Sequence, residues 1–396
     1  MSMEWSIVRV EDIFDVINGF AFSSMDLLSE PQGDCWEVLK IGHISPEGGL
    51  RIQPKREYAK KDKKNSKFVL YEGDIVMGMT DMKSNVRILG VPAMVDKSNH
   101  YALNQRVGCL RIKNQLLADN KYCYYQMGHS RFLTDLRKTA NSGVQVNLTT
   151  VGIRSTQLYL PPLITQKKIA SILSAYDNLI ENNNRRIHIL EQMAENLYKE
   201  WFVRFRFPGY ENVEMENGLP KGWSKAPLSE ICQFKRGKNI TADEMCEGNI
   251  PVISAGIEAS GYHNKANVKG VSVTMSSSGA NAGYLSIHYS DIWAADCSYI
   301  EESSTPNIYY VYELLNNIRT IITNFQRGAA QPHVYPKDIN RIKLIVPDKG
   351  LMKQADDRLS SIHKAIYNLK QQNTLLSRQR DLLLPRLMSG KLEVNA

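Results

Sequence analysis

LPPLITQKKIASILSAYDNLIENNNRRIHILEQMAENLYKEWFVR, residues 160–204, decides the architecture. After Pro162 it holds neither proline nor glycine. Ile169, Tyr176, Asn183, Leu190 and Leu197 recur every seven residues, and Leu173, Ile180, Ile187, Ala194 and Trp201 form a second such series. The two interleave at steps of four and three, which is the a/d seam of a coiled-coil helix. The Pro-Pro pair at 161–162 marks where the preceding structure stops and the helix opens.

A second stretch, VPDKGLMKQADDRLSSIHKAIYNLKQQNTLLSRQRDLLLPRL at 346–387, carries the same pattern shifted by 186 residues. Its series are Ala355, Ile362, Leu369, Leu376, Leu383 and Leu359, Ile366, Asn373, Arg380, Leu387. Two apolar stripes of matched length bury each other in preference to facing water. If the helices run antiparallel with Ile169 opposite Leu387, Asn183 faces Asn373. A buried asparagine pair lowers stability but fixes register and orientation. Partly exposed seam edges are the alternative. About 35 residues at about 1.5 Å each make a rod of about 50 Å, suited to spacing two reading heads along one ligand.

The duplication extends outward from the helices. WSIVRVEDIFDVINGFAF at 5–22 matches WSKAPLSEICQFKRGKNI at 223–240, with Trp5 on Trp223, Ile13 on Ile231 and Gly19 on Gly237, an offset of 218. GVQVNLTTVGIRSTQLYLPP at 143–162 matches AAQPHVYPKDINRIKLIVPD at 329–348, with Gln145 on Gln331, Ile153 on Ile339 and Pro161 on Pro347, an offset of 186. The second copy is therefore shorter by 32 residues between these landmarks. The reading is an α+β chain of four segments. Residues 1–160 and 207–346 are two similar small mixed sheets with helices; residues 161–206 and 347–396 are a pair of long antiparallel coiled-coil helices.

Composition bounds the function. The 396 residues favour more than one domain, and 43% hydrophobic residues suffice for real cores. A formal charge of +8 tilts the partner toward a polyanion. The six cysteines form no C-x-x-C pair, which argues against a zinc ribbon and fits a reducing compartment. MSMEWSIVRVED lacks a signal-peptide core, and no stretch approaches a membrane span, so a cytoplasmic protein is expected. There is no G-x-x-x-x-G-K-[ST] loop and no H-x-x-x-H or H-E-x-x-H spacing, and no catalytic or metal-binding constellation stands out. SGANAG at 278–283 follows a strand but no lysine follows it.

Four groups of residues are candidate DNA contacts. PKREYAKKDKKNSK at 54–67 includes Lys60, Lys61, Lys63 and Lys64, whose flexible charges suit phosphate neutralisation; a solvated loop is the alternative. MTDMKSNVR at 79–87 supplies Lys83, Asn85 and Arg87, and SSSGANAGY at 276–284 supplies Ser277 and Asn281, at matching places in the two copies. Arginine pairs with guanine and asparagine with adenine through two hydrogen bonds each. KTANSGVQVNL at 138–148 adds Lys138, Gln145 and Asn147, and RGAAQPHVY at 327–335 adds Arg327, Gln331 and His333. The aligned glutamines follow glycine turns that allow close backbone approach, so this is the favoured pair of sites, with a structural turn entering the last strand as the alternative. KRGK at 235–238 contributes Lys235, Arg236 and Lys238. WFVRFRFPGY at 201–210 reads as a strand-like exit from the helix that packs beneath the second copy, with stacking of its rings on nucleic acid as the alternative.

L-P-P-L-x-x-Q-x-x-I-A-x-I-L at 160–173, the twice-used W-x(4)-L/V-x-x-I, and RQRDLLLPRLMSGKLEV at 378–394 resemble the specificity subunit of Type I restriction–modification systems over essentially the whole chain. The resemblance implies two target recognition domains, each reading half of a bipartite double-stranded DNA site. It implies that the helices dock two methyltransferase subunits using S-adenosylmethionine, alongside restriction subunits using ATP and Mg, with no cofactor bound by this chain and no catalysis by it. VPDKGLMKQ departs from LPPLITQKK, so contacts of the two helix starts are expected to differ. Two other readings stay open: a protein scaffold that binds no DNA, and the recognition part of a self-contained restriction–methylation enzyme.

Overall fold

The computed structural model describes residues 5–51, 54–84, 86–141, 143, 145–328 and 332–394. Compactness divides the chain into Met1–Ile180 with Leu375–Ala396, and Glu181–Thr374. Both boundaries fall inside the long helices, so each unit contains a segment of both.

The first unit is built on an antiparallel sheet with strand order Phe14–Asn18, Val107–Ile112, Ile75–Gly78, Pro92–Met94. Ile75–Gly78 is buried along its whole length, as its unbroken apolar run requires. A three-stranded sheet sets Cys35–Leu39 between Tyr58–Lys60, antiparallel, and Tyr101–Leu103, parallel. Helices Asn120–Gly128 and Ser130–Lys138 bury Tyr122, Met127, Phe132 and Leu136 in the core.

The second unit repeats these two sheets in strand order and direction. Its four-stranded order is Lys235–Arg236, Cys297–Glu301, Ser272–Ser276, Leu285–His288, again antiparallel. Ile250–Ile253 lies between Gly261–His263, antiparallel, and Trp293–Ala294, parallel. Ser272–Ser276 is also fully buried, though three of its five residues are polar. Two of its three hydroxyls find partners: Thr274 Oγ1 is 2.8 Å from His288 Nε2, and Ser276 Oγ donates to Ala255 O at 2.8 Å, while buried Ser272 Oγ has none among the described residues.

The landmarks of the duplication pair with each other in space. Ser6–Arg9 runs antiparallel to Gln157–Leu160, and Ser224–Pro227 to Lys343–Val346, at both offsets of the sequence alignment. Val10 N donates to Thr156 O at 2.9 Å; its counterpart Leu228 N donates to Ile342 O at 2.8 Å. Gly19 and Gly237 are equivalent for a steric reason. A Cβ on either would lie 2.1 Å from Asn104 O or 2.3 Å from Ala295 O, inside backbone that cannot yield. Thus the start and end of each copy close on one another, which positions the long helix that follows.

The first long helix is Leu163–Tyr198, extended by a π turn at Lys199–Val203; the second is Lys349–Met388. Every seam residue of the two seven-residue series is buried or half-buried. In the second unit Asn183 Nδ2 donates to Asn373 Oδ1 at 2.9 Å, and Asn373 Nδ2 donates to Asn184 Oδ1 at 2.8 Å. In the first unit Arg380 Nη1 donates to Asp177 Oδ1 at 2.7 Å, filling another polar seam position. Both contacts fit antiparallel helices. The stretch 201–210 is not strand-like. The helix widens into its π turn, then Phe205 and Gly209 take positive φ and reverse the chain. Trp201, Phe202 and Phe207 enter the second unit's core, where Phe207 stacks on Trp223 at 5.5 Å. Rings that alternate with arginine are thereby sorted, aromatic inward and charge outward.

Candidate nucleic-acid interface

In the first copy the loops singled out from sequence meet in a two-stranded ribbon. Thr80–Met82 runs antiparallel to Gln145–Asn147, with Gln145 opposite Met82, Val146 opposite Asp81 and Asn147 opposite Thr80. Leu148 N donates to Met79 O at 2.8 Å and closes its base. Asp81 Oδ2 accepts from Ile88 N at 2.7 Å, which folds the loop carrying Lys83 and Arg87 back on its stem. Lys83 and Gln145 are exposed, and Asn147 is half-buried. Arg87 sits 3.6 Å from Glu47, and Lys138 2.8 Å from Asp135. Asn85 lies outside the described residues, as does Gln331.

The second copy brings its own two loops together at the corresponding place. Val334 N donates to Ser277 O at 3.0 Å, the counterpart of the Leu148–Met79 bond. Gly279 N donates to Pro332 O at 3.0 Å, and Ser278 and Arg327 each bridge to His333. The half-buried His333 ring stacks over exposed Tyr335. Asn281 is half-buried in the 3-10 turn Gly279–Asn281. Ser277 is corrected here: it is 0% exposed, with Oγ 3.3 Å from Ser298 Oγ, so its side chain cannot reach a base.

Several candidate cations of the second copy hold acids. Lys235 lies 2.7 Å from Glu301, Arg236 2.5 Å from Asp296, and Arg327 3.1 Å from Asp338. Asp296 also accepts from Ser278 Oγ at 2.7 Å, tying the Arg236 pair to the loop that carries Asn281. Lys238 is exposed and has no ion pair among the described residues.

The lysine-rich stretch of the first copy is an organised loop. Buried Asn65 accepts from Trp36 Nε1 at 3.2 Å and from Asp62 N at 3.0 Å, and donates to Lys60 O at 2.8 Å. Asp62 Oδ1 in turn accepts from Lys64 N and Asn65 N. Lys61 is drawn onto the Trp36 ring at 4.1 Å and to Asp34 at 2.6 Å. Lys60, Lys63 and Lys64 stay exposed, with no ion pair among the described residues.

The helix starts hold the copies by different chemistry. Buried Gln166, the glutamine of L-P-P-L-x-x-Q, accepts from Asp119 N at 2.8 Å and donates to Pro161 O and Leu117 O. The second copy has Met352 at the equivalent position, and Asp356 Oδ1 instead accepts from Tyr309 N and Tyr310 N, both at 2.9 Å. Burial pushes the Asp356 carboxyl above its usual range despite those bonds. Sequence reasoning found Gln166 only as a motif letter and missed Asp356, because its partners lie 46 and 47 residues away.

Among the described residues no group of three His, Cys, Asp or Glu could hold a metal ion, and no described helix is long and apolar enough to cross a membrane.

The profile of a family described as Type I restriction modification DNA specificity domain matches residues 2–192 and 220–377. The chain is similar to the Type I restriction enzyme MjaIX specificity subunit of Methanocaldococcus jannaschii, 26% identical over 300 residues that cover 69% of each protein. It is also similar to the MjaVIII specificity subunit of that organism, 24% identical over 249 residues, 62% of this chain and 53% of the relative. Among solved structures, a Type I restriction–modification S subunit from M. genitalium aligns with TM-score 0.62 at 18% identity, covering 98% of this chain and 96% of that one.

Proposed function

From the premise that the chain belongs to the type I restriction–modification DNA specificity family, we propose that it recognises a bipartite, asymmetric DNA site and directs partner subunits there without catalysing a reaction itself. Segments 1–160 and 207–346 each read one half-site, and segments 161–206 and 347–396 set the spacing between them. The observation that carries this reading is the repeated clasp: Leu148 to Met79 in one copy and Val334 to Ser277 in the other join two loops at the same place. The joined loops differ in sequence, as two readers of different half-sites must. Lys83, Arg87, Gln145 and Asn147 are the contacts assigned to the first half-site, with Lys60, Lys61, Lys63, Lys64 and Lys138 on phosphates. Asn281, Arg327, His333, Lys235, Arg236 and Lys238 serve the second. Asn85 and Gln331 keep their sequence-based assignment.

The partners are double-stranded DNA, two methyltransferase subunits and restriction subunits, in the cytoplasm. S-adenosylmethionine, ATP and Mg belong to those subunits and none to this chain. Asn183 and Asn373 hold the register of the helix pair on which the methyltransferases dock. The test incubates DNA and labelled S-adenosylmethionine with the purified chain, a type I methyltransferase subunit, or both. Methyl transfer by the pair only is expected. Transfer by the chain alone would establish a self-contained enzyme instead.

A further inference from the structure

We propose that the two copies divide DNA binding unequally: the first supplies most of the sequence-independent grip on phosphate, through the loop that Asn65 organises, and the second reads its half-site with little electrostatic help of its own. The inference rests on the DNA-specificity reading and assigns a division of labour within it.

The charge of the chain is distributed unevenly. Residues 1–160 hold 21 Lys and Arg against 17 Asp and Glu, a net of +4, whereas residues 207–346 hold 12 against 14, a net of −2. Non-specific affinity comes from cations that displace condensed counterions from DNA, so a recognition segment of net negative charge starts at a disadvantage. The pairing of individual side chains points the same way. In the second copy three of the four candidate cations, Lys235, Arg236 and Arg327, sit against a carboxylate, whereas in the first copy three of seven do, Lys61, Arg87 and Lys138. A phosphate taking such a cation must compete with the acid and then lie beside it.

The first copy has a built alternative. Asn65 and Asp62 fix the backbone of residues 60–65 through hydrogen bonds, so Lys60, Lys63 and Lys64 are presented from an ordered turn. Little chain entropy is lost when an ordered loop meets DNA. Among the described residues the second copy has no counterpart. The connection from Tyr58–Lys60 to Ile75–Gly78 corresponds to a shorter one from Gly261–His263 to Ser272–Ser276, which carries only Lys265 and Lys269.

The experiment compares two triple variants of the full chain, K60Q/K63Q/K64Q and K238Q/K265Q/K269Q, each removing three exposed charges. Binding to a random-sequence duplex is followed by fluorescence anisotropy from about 50 to about 200 mM salt, for the chain alone and assembled with a type I methyltransferase subunit. The first variant is expected to lower the slope of log K against log salt by about 2 to 3, and affinity at the low-salt end by tenfold or more. The second is expected to change the slope by less than about 1. Unchanged unfolding midpoints confirm that both variants fold. Equal losses, or a larger loss from the second variant, overturn the unequal division while leaving DNA recognition intact. Wild-type chain that binds no duplex in either form overturns the DNA reading as well.

Discussion

The Tyr125 hydroxyl donates to Asp177 Oδ2 at 2.5 Å, joining the first recognition segment to its long helix. The position 186 residues after Asp177 is His363, and its Nε2 lies 3.0 Å from Glu313 Oε1, with both groups buried. Tyr125 and Glu313 stand at the same turn of equivalent helices, Asn120–Gly128 and Ile308–Asn317. The same junction is therefore locked by phenol and carboxylate in one copy, and by carboxylate and imidazole in the other. Arg380 completes the first lock and Tyr289, 3.0 Å from His363 Nδ1, the second.

Each lock should behave as a coupled pair. Tyr125→Phe is expected to cost about 1 kcal/mol and Glu313→Leu about 2–3 kcal/mol, because the latter leaves buried His363 without an acceptor. Glu313→Tyr combined with His363→Asp, which copies the first lock, should cost less than the two single changes summed. Urea unfolding of the four proteins measures this, and strict additivity would show that the pair is not a unit.

Acid should weaken the second copy through His288. Burial pushes its imidazole from 6.5 down to about 4, and Lys370 adds in the same direction. The unfolded chain then binds a proton that the folded chain refuses between these values. Stability from this group is complete above about pH 6.5 and is lost as pH falls toward 4, by up to about 3 kcal/mol. The difference in unfolding free energy between the wild-type protein and His288→Gln should therefore vary with pH in that window. A flat difference would rule the histidine out as the cause.

Gly19→Ala and Gly237→Ala are each expected to destabilise by about 3 kcal/mol or to prevent folding, since the new methyl meets backbone oxygen in both copies. Gly33, with open space around it, is the control for bulk, although its positive φ still adds strain of about 1 kcal/mol. Similar unfolding midpoints for all three variants would contradict the close approach.

Replacing Asn183 and Asn373 together by leucine should raise the melting temperature, because a polar layer gives way to apolar packing. The same change should loosen orientation, visible as broadened distance distributions between spin labels on the two helices. A lowered melting temperature would contradict the assignment of this pair as a register device.

Much of the architecture was legible because it rests on local periodicity and on repetition. The seven-residue series place both long helices, and Trp5 with Trp223 and Pro161 with Pro347 bracket the strands that close each copy. At the candidate interface only the loops that come together were legible. Ser277 looks like an exposed polar loop residue in sequence but is buried just past the strand Ser272–Ser276, beside Ser298. Arg236 and Arg327 look available but meet Asp296 and Asp338. Such pairings join residues far apart in the chain, and no local pattern encodes them. The aromatic run at 201–210 misled for a related reason. Alternation suggests a strand, whereas the core of the second unit takes its rings from a π turn and a left-handed residue.

The central claim is that two divergent copies read two halves of one DNA site. It is tested most directly by mapping methylated adenines in DNA from cells carrying this chain with a type I methyltransferase subunit, and again with Gln145→Ala and Asn147→Ala together. The expected result is a motif of two defined halves separated by a spacer of fixed length and free sequence, with only one half relaxed in the variant. A single continuous motif, or a variant that alters both halves alike, would contradict the account.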